Sequence, residues 1–147
     1  MDLKLNLPED VADALRRHID EVRQDWADHP FGVGDIASHH GLLPLSLDMG
    51  GFAALKSDGT VVVVVWDEEP VIEHPVVSVK ERDICLYVGS KRYPILARLL
   101  PERDPGSRVC PICEGTGKHP FAVKARIDNL LCSCGGFGWL PASWEST

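Results

Sequence analysis

The chain has 147 residues, a formal net charge of −7 and a pI near 5.3. This length suffices for one domain with a buried core, and the composition, 44% hydrophobic and 25% charged, is that of a globular protein. Acidic residues outnumber basic ones only in residues 1–105, which argues against nucleic acid as a partner because nucleic acid requires a basic face. The chain has no apolar run approaching the roughly 18 residues of a membrane span, and it begins without a signal-peptide pattern. We therefore predict a cytoplasmic protein that binds neither nucleic acid nor a membrane.

Residues 8–27 are predicted to form an amphipathic helix that ends at His29-Pro30. Apolar residues three or four positions apart lie on one face of such a helix, and here they are Val11, Leu15, Ile19, Val22 and Trp26. Residues 29–44 are predicted to be a loop. Within it, His39 and His40 are candidates for a metal site or a catalytic base, but an exposed turn is favoured because adjacent histidines rarely face one site.

A hairpin is predicted around Asp58-Gly59, with residues 51–56 and 60–66 as its strands. The dipeptide Asp-Gly favours the positive backbone angles of a tight hairpin turn. The unbroken β-branched run Val61–Val65 predicts a central strand that is covered on both faces. On that prediction, Val63→Asp would bury a charge without a partner and prevent folding.

Two further strand regions are predicted after this hairpin. Residues 71–79 contain Pro75, which lacks a backbone donor, so an edge or bent strand is expected there. Residues 83–88 and 91–95 flank Gly89-Ser90 and predict a second hairpin. The expected fold class is therefore α+β, with the N-terminal helix packed on a mostly antiparallel sheet of about four to six strands.

Four of the five cysteines form two close pairs in the last third of the chain: Cys110, Cys113, Cys132 and Cys134. Structural zinc sites take four thiolates in a tetrahedron, and each close pair supplies two of them from one turn. Residues 121–127 alternate apolar and polar side chains, which predicts one arm of a hairpin that brings the pairs together. We predict one structural zinc ion per chain, a main domain at 1–105 and a small zinc module at 106–147. Cys85 is predicted to be a small, buried apolar residue on a strand.

Alternatives to this ligand set stay open. Cys132 and Cys134 are separated by only one residue, which makes it harder for both thiolates to bind the same tetrahedral ion. His119 is therefore an alternative ligand that could replace one of the cysteines. A disulfide is a further alternative, although the chain lacks the secretion signal that implies an oxidising compartment. A redox-active Cys110-x-x-Cys113 is the main rival, but such a motif expects a helix to follow, and Glu-Gly-Thr-Gly after Cys113 is a poor helix start.

The pattern Cys110-x-x-Cys113-x-Gly-x-Gly is similar to a repeat of the DnaJ cysteine-rich zinc finger. Cys134-x-Gly-x-Gly is similar to the second half of another such repeat, and the resemblance covers residues 110–139. It implies that the cysteines bind zinc and shape an extended β-hairpin module. It does not imply the co-chaperone role, since the J domain's His-Pro-Asp signature is absent from this chain.

Residues 43–61, with Gly50-Gly51 and Asp58-Gly59, followed by a strand ending in Trp66-Asp67-Glu68, resemble the central strands of the SUKH superfamily. The resemblance extends over residues 9–100 and implies a leading helix followed by an antiparallel sheet. Many members are bacterial immunity proteins that bind and neutralise toxins, typically nucleases or deaminases. The resemblance implies a protein partner and supplies no catalytic residues.

Together these observations predict a non-catalytic, protein-binding protein, of an immunity or inhibitor type, whose partner is a protein such as a basic toxin. One alternative is a chaperone-like peptide binder in which four apolar side chains grip peptide: Phe137, Trp139, Leu140 and Trp144. The same side chains otherwise pack the zinc module onto the main domain. The other alternative, a zinc- or thiol-dependent enzyme, requires an open coordination position, and four cysteine ligands leave none.

Overall fold

The computed structural model describes residues 3–29, 32–47, 50–101, 107–114, 137–141 and 144. In chain order the elements are α1 (Glu9–Asp20), α2 (Val22–Asp25), α3 (Val33–His40), β1 (Leu42–Leu47), β2 (Gly51–Lys56), β3 (Val61–Val65), β4 (His74–Pro75), α4 (Val79–Ser90), a 3₁₀ helix (Pro94–Leu99), β5 (Arg108–Val109) and β6 (Trp139–Leu140). Strands β1 to β4 form an antiparallel sheet in sequential order, and β5 pairs with β6. The predicted α+β class is confirmed. The predicted boundary at residue 105 falls in 102–106, outside the described residues.

The predicted N-terminal helix is present as α1 and α2. The two are separated at Glu21, whose φ of −100° and ψ of 3° lie outside the helical region. The apolar stripe faces the core, with Val11, Leu15, Val22 and Trp26 buried. The indole Nε1 of Trp26 donates a hydrogen bond to the hydroxyl of Tyr93 over 2.9 Å. This buried bond joins the helix to the segment after α4, and α1 itself contacts β1.

The β2–β3 hairpin forms around Gly59, whose φ of +95° requires the freedom of glycine. Val62 and Val64 are buried on one face of β3. On the other face Val63 and Val65 are only half-buried. The prediction that the whole run is covered on both faces was therefore wrong at Val63 and Val65, which are partly open to solvent.

Strand β4 is an edge strand, as the proline at residue 75 predicts. Only His74 and Pro75 pair with β3. The prediction of a longer strand over residues 71–79 was wrong. Contact with β3 ends at the N–H of Val76, which donates to the carbonyl oxygen of Val61 over 3.1 Å, and residues 79–90 form a helix.

The second predicted hairpin, around Gly89-Ser90, was wrong, because residues 79–90 form α4. The helix begins where the hydroxyl of Ser78 accepts a hydrogen bond from the backbone N–H of Glu81 over 3.0 Å. Its buried positions recur every three or four residues, at Val79, Asp83, Leu86 and Gly89. A Cβ at Gly89 would lie 2.6 Å from the Cδ2 of Leu45, so this glycine permits close packing of α4 on β1.

The predicted loop over residues 29–44 was also wrong, because it contains α3 and the start of β1. Gly41 ends α3 in the left-handed conformation, with a φ of 67°, which is a common way for a helix to terminate. Val33 and Ala37, four residues apart, are buried on the inner side of the helix.

Candidate metal centre

The first cysteine pair lies in a single tight turn directly after β5. The backbone N–H of Glu114 donates to the carbonyl oxygen of Cys110 over 2.8 Å, which closes residues 110–114 into one turn of helical spacing. Residues three apart in such a turn point to the same side. Cys110 and Cys113 are 2% and 5% exposed, so both are buried. Glu114 ends the turn with a φ of +53°, the left-handed conformation that reverses the chain.

A short antiparallel ladder holds this turn against the end of the chain. Arg108 lies opposite Leu140 and Val109 opposite Trp139. The N–H of Cys110 extends the ladder by donating to the carbonyl oxygen of Gly138 over 3.1 Å. Gly138 comes four residues after Cys134 in the sequence. The ladder therefore brings a residue that closely follows the second cysteine pair next to the first cysteine pair.

The remaining predicted ligands, Cys132 and Cys134, and the alternative ligand His119 lie outside the described residues, as does the predicted hairpin arm at 121–127. Within the described ranges, no three His, Cys, Asp or Glu side chains cluster as a metal site. The four-cysteine ligand set therefore stays a prediction, and the structure describes one half of it.

An apolar cluster surrounds the described cysteines. Cys110 and Cys113 pack with Val79 of α4 and with Trp144, and Leu3, Ile84, Phe137 and Leu140 complete the cluster. The ring of Phe137 lies 4.8 Å from that of Tyr87 and 5.2 Å from that of Trp144. Trp139 and Trp144 are 9% and 8% exposed. The rings of Phe137 and Trp144 thus pack the described C-terminal residues onto α4.

A buried carboxylate fixes the position of Trp144. Asp83 of α4 is 1% exposed, and its Oδ2 accepts a hydrogen bond from the indole Nε1 of Trp144 over 2.8 Å. Its Oδ1 lies 3.2 Å from the guanidinium of Arg82, which in turn donates to the carbonyl oxygen of Leu3 over 3.2 Å. One carboxylate therefore ties the C-terminal residues to α4 and, through Arg82, to the N-terminal segment. Sequence reasoning missed Asp83 because it placed this residue on a strand.

A separate charged cluster lies between α3 and the sheet. The carboxylate of Glu73 contacts the ammonium of Lys56 at 2.8 Å and the Nδ1 of His40 at 3.1 Å. Its hydrogen bond to Lys56, followed by that to His40, holds the pKa of Glu73 below its usual value of 4.5. The same carboxylate raises the pKa of Lys56. His40 thus belongs to a part-buried ion-pair cluster, whereas the sequence suggested an exposed turn.

Cys85 is the one cysteine outside the two pairs. It lies in the middle of α4 and is half-buried, so the expected strand location was wrong. It packs against the main core of the protein and not against the cluster around Cys110. Cys85 therefore offers a matched control for substitutions of the paired cysteines.

No helix in the part of the chain that the structure describes combines the length and apolar character needed to cross a membrane. Comparison with protein-family models, curated proteins and solved structures gives no match for this chain. The resemblances to the DnaJ-type zinc finger and to the SUKH superfamily therefore stay predictions.

Proposed function

We propose that this chain is a non-catalytic, protein-binding protein whose C-terminal residues are held by one structural zinc ion. The ligands are Cys110, Cys113, Cys132 and Cys134. The observation that carries the proposal is the buried turn, in which a backbone hydrogen bond places two cysteines on one side, next to the strand that follows the second pair.

The zinc role is structural because four thiolates fill a tetrahedral ion and leave no position for water or substrate. The surroundings fit such a site, since the described cysteines lie among apolar side chains that exclude solvent. Metal binding would also help this segment to fold, because the binding free energy adds directly to the free energy of folding. Thiolate ligands persist in a reducing compartment, so the proposal places the protein in the cytoplasm.

The binding role has two supports. The net charge of −7 steers the molecule toward basic partners. The α+β fold, with its leading helix and antiparallel sheet, is the architecture that the SUKH resemblance implies. An immunity or inhibitor role with a basic toxin as partner is the sharpest form of this proposal. The chaperone-like alternative is less favoured, because the aromatic side chains it requires are engaged in packing.

Metal analysis tests the zinc half of the proposal. We expect one zinc per chain in the purified protein, and we expect Cys110→Ser and Cys134→Ser to lose most of it. Cys85→Ser is the matched control and retains the metal, because Cys85 packs in the other core. A metal-free protein with Cys110 and Cys113 oxidised to a disulfide would replace the structural-zinc proposal with the redox alternative.

A second pair of variants tests the ligand set itself. If Cys132→Ser retains full zinc and His119→Ala loses it, the site exists with histidine as its fourth ligand. If only three cysteines hold the metal and water takes the fourth position, the enzyme alternative returns.

Affinity capture with the zinc-loaded full chain tests the binding half. We expect a partner with a basic surface whose binding saturates and weakens with increasing salt, because the attraction is largely electrostatic. Gene neighbourhood distinguishes the forms of the proposal, since a toxin gene beside this one favours the immunity role. A chain that captures no saturable partner under these conditions would refute the binding role.

A further inference from the structure

A groove of about 440 Å³ opens on the face of the sheet that β3 leaves uncovered. Val63 and Val65 of β3 line it together with Pro75 of β4. Val77, just beyond β4, also lines it and is 87% exposed. Val77 thus extends the half-buried valines of β3 into one apolar surface that is open to a partner.

The polar part of this groove is acidic. Glu68 and Glu81 line it with His74, and no lysine or arginine does so in the part of the chain that the structure describes. Glu68 contacts the Nε2 of His74, while Glu81 lies in the first turn of α4. The groove thus combines an apolar floor with two carboxylates contributed by different elements.

We propose that this surface, which we call the β4 groove, is where the partner docks, and that it takes a protein segment with an apolar side chain flanked by lysine or arginine. This inference rests on the proposed function, that the protein binds another protein. The apolar side chain would displace water from the valine floor. The flanking cations would pair with Glu68 and Glu81, and the charge of the whole chain would favour their approach.

Recognition at this site relies on side chains and not on addition of a strand. β4 is short: His74 and Pro75 pair with β3, and only the N–H of Val76 extends this contact among the described residues. One of them is Pro75, which has no backbone N–H, so an incoming strand finds few partners along this edge. The charge and the apolar character of the segment therefore set its affinity.

Three end-blocked peptides test the proposal against the zinc-loaded full chain labelled with ¹⁵N. Their cores are Lys-Leu-Leu-Lys, Glu-Leu-Leu-Glu and Lys-Ser-Ser-Lys. We expect only the first to produce saturable shifts, at the amides of β3, of β4 and of the first turn of α4. Equal binding of the acidic peptide, or shifts confined to other parts of the chain, would overturn the proposal, as would the absence of shifts with all three.

A charge-reversal variant sharpens the test. Glu68→Lys combined with Glu81→Lys should weaken the first peptide by about tenfold, as expected for two exposed ion pairs converted to repulsion. The matched control, Glu9→Lys with Asp20→Lys, makes the same change of net charge at exposed positions on α1. It should weaken binding by less than about twofold. Equal losses in both variants would show a general charge effect and overturn the groove assignment.

The same variants separate this inference from the proposed function. A captured partner that binds the Glu68→Lys, Glu81→Lys protein as tightly as the unaltered chain overturns the groove assignment and leaves the binding role standing. Failure of the binding role shows differently, as the lack of any saturable partner for the unaltered chain.

Discussion

The hydrogen bond between Asp83 and Trp144 provides the most direct test of how the C-terminal residues are held. Trp144→Phe removes the indole donor and leaves a carboxylate that is 1% exposed with Arg82 as its remaining side-chain partner. Asp83→Ala removes the acceptor and leaves the indole N–H without it. Hydrogen bonds to charged groups contribute about 1.5–3 kcal/mol, and the 2.8 Å distance in a buried setting places this one within that range.

A double-mutant cycle isolates the pair. We expect each single substitution to lower the free energy of unfolding by about 2–4 kcal/mol, because each removes one partner of a buried hydrogen bond to a charged group. The double variant should cost less than the sum of the two, with a coupling energy of about 1.5–3 kcal/mol. Urea unfolding followed by circular dichroism measures all four proteins without relying on the tryptophan being replaced.

The control is the exposed pair of Arg23 and Asp35, whose side chains are 68% and 76% exposed. Its cycle should give a coupling below about 1 kcal/mol, because solvent screens exposed ion pairs. A coupling below about 0.5 kcal/mol for Asp83 and Trp144 as well would mean that the carboxylate does not hold the indole in solution. In that case the C-terminal residues would have to be anchored by the aromatic contacts and the metal alone.

Three further predictions follow from the sheet, α4 and the charged cluster. Val62→Asp should abolish the cooperative unfolding transition, because Val62 is fully buried. Val63→Asp, which the sequence alone predicts to prevent folding, should leave a folded protein because Val63 is only half-buried. Identical circular dichroism of the two variants would contradict the assignment of the two faces. Gly89→Ala should lower the free energy of unfolding by about 1–3 kcal/mol, since the new Cβ meets a β1 side chain at 2.6 Å, and stabilisation in urea unfolding would mean that the helix and strand separate easily. Above pH 4.5 the unaltered protein should be more stable than the Glu73→Gln variant, by about 1 kcal/mol or less. This difference in the free energy of unfolding should disappear as the pH falls through the lowered pKa of Glu73. A difference that does not depend on pH would show that Lys56 does not stabilise the carboxylate.

Local signals that agree with tertiary packing could be predicted from the sequence. The apolar stripe over residues 8–27 correctly predicts the first two helices, because each of its residues is buried or packs against the core. Asp58-Gly59 gave the β2–β3 hairpin, because the turn geometry itself demands a residue with positive φ. In both cases the short-range signal and the packing against distant residues favour the same structure.

The helix α4 was missed because two local signals conflict. The run of residues 84–88 is rich in side chains that favour strands, and Gly89-Ser90 resembles a hairpin turn. The opposing signal is Ser78-x-x-Glu81, a pattern that is typical of the start of a helix. In the structure the hydroxyl of Ser78 does cap the helix by accepting from the N–H of Glu81. The buried positions at helical spacing include an aspartate and a glycine, Asp83 and Gly89, so the apolar periodicity is weak.

The partners of the candidate site were beyond the reach of local patterns. The bond from Trp144 to Asp83 spans 61 residues of sequence, and nothing near either residue indicates it. The turn at Cys110 to Cys113 is a short-range feature, and its cysteine spacing predicts the shared side that the structure shows. The predicted zinc ligands of the second pair are separated from Cys113 by at least 18 residues of sequence. Spacing alone therefore does not decide whether His119 replaces one cysteine of the second pair.

The cysteine turn proposed to bind zinc and the proposed β4 groove both involve the first turn of α4. Val79 packs with Cys110 and Cys113, and Glu81, two residues later, lines the groove. If chelation removes the metal, the cysteine turn should loosen while the sheet stays folded, because the sheet has a separate core. The start of α4 would then lose packing on Val79, and Glu81 would be held less firmly.

We therefore expect chelation to weaken the Lys-Leu-Leu-Lys peptide by about threefold, the equivalent of losing one exposed ion pair. Titrations of the same ¹⁵N-labelled chain with and without chelator measure the change. Amide protection in β2 and β3 reports that the sheet remains folded. Chelation of Cys85→Ser should have the same effect, because Cys85 packs in the core of the sheet domain. Unchanged peptide affinity after complete loss of zinc, with the sheet intact, would show that the metal and the peptide bind independently.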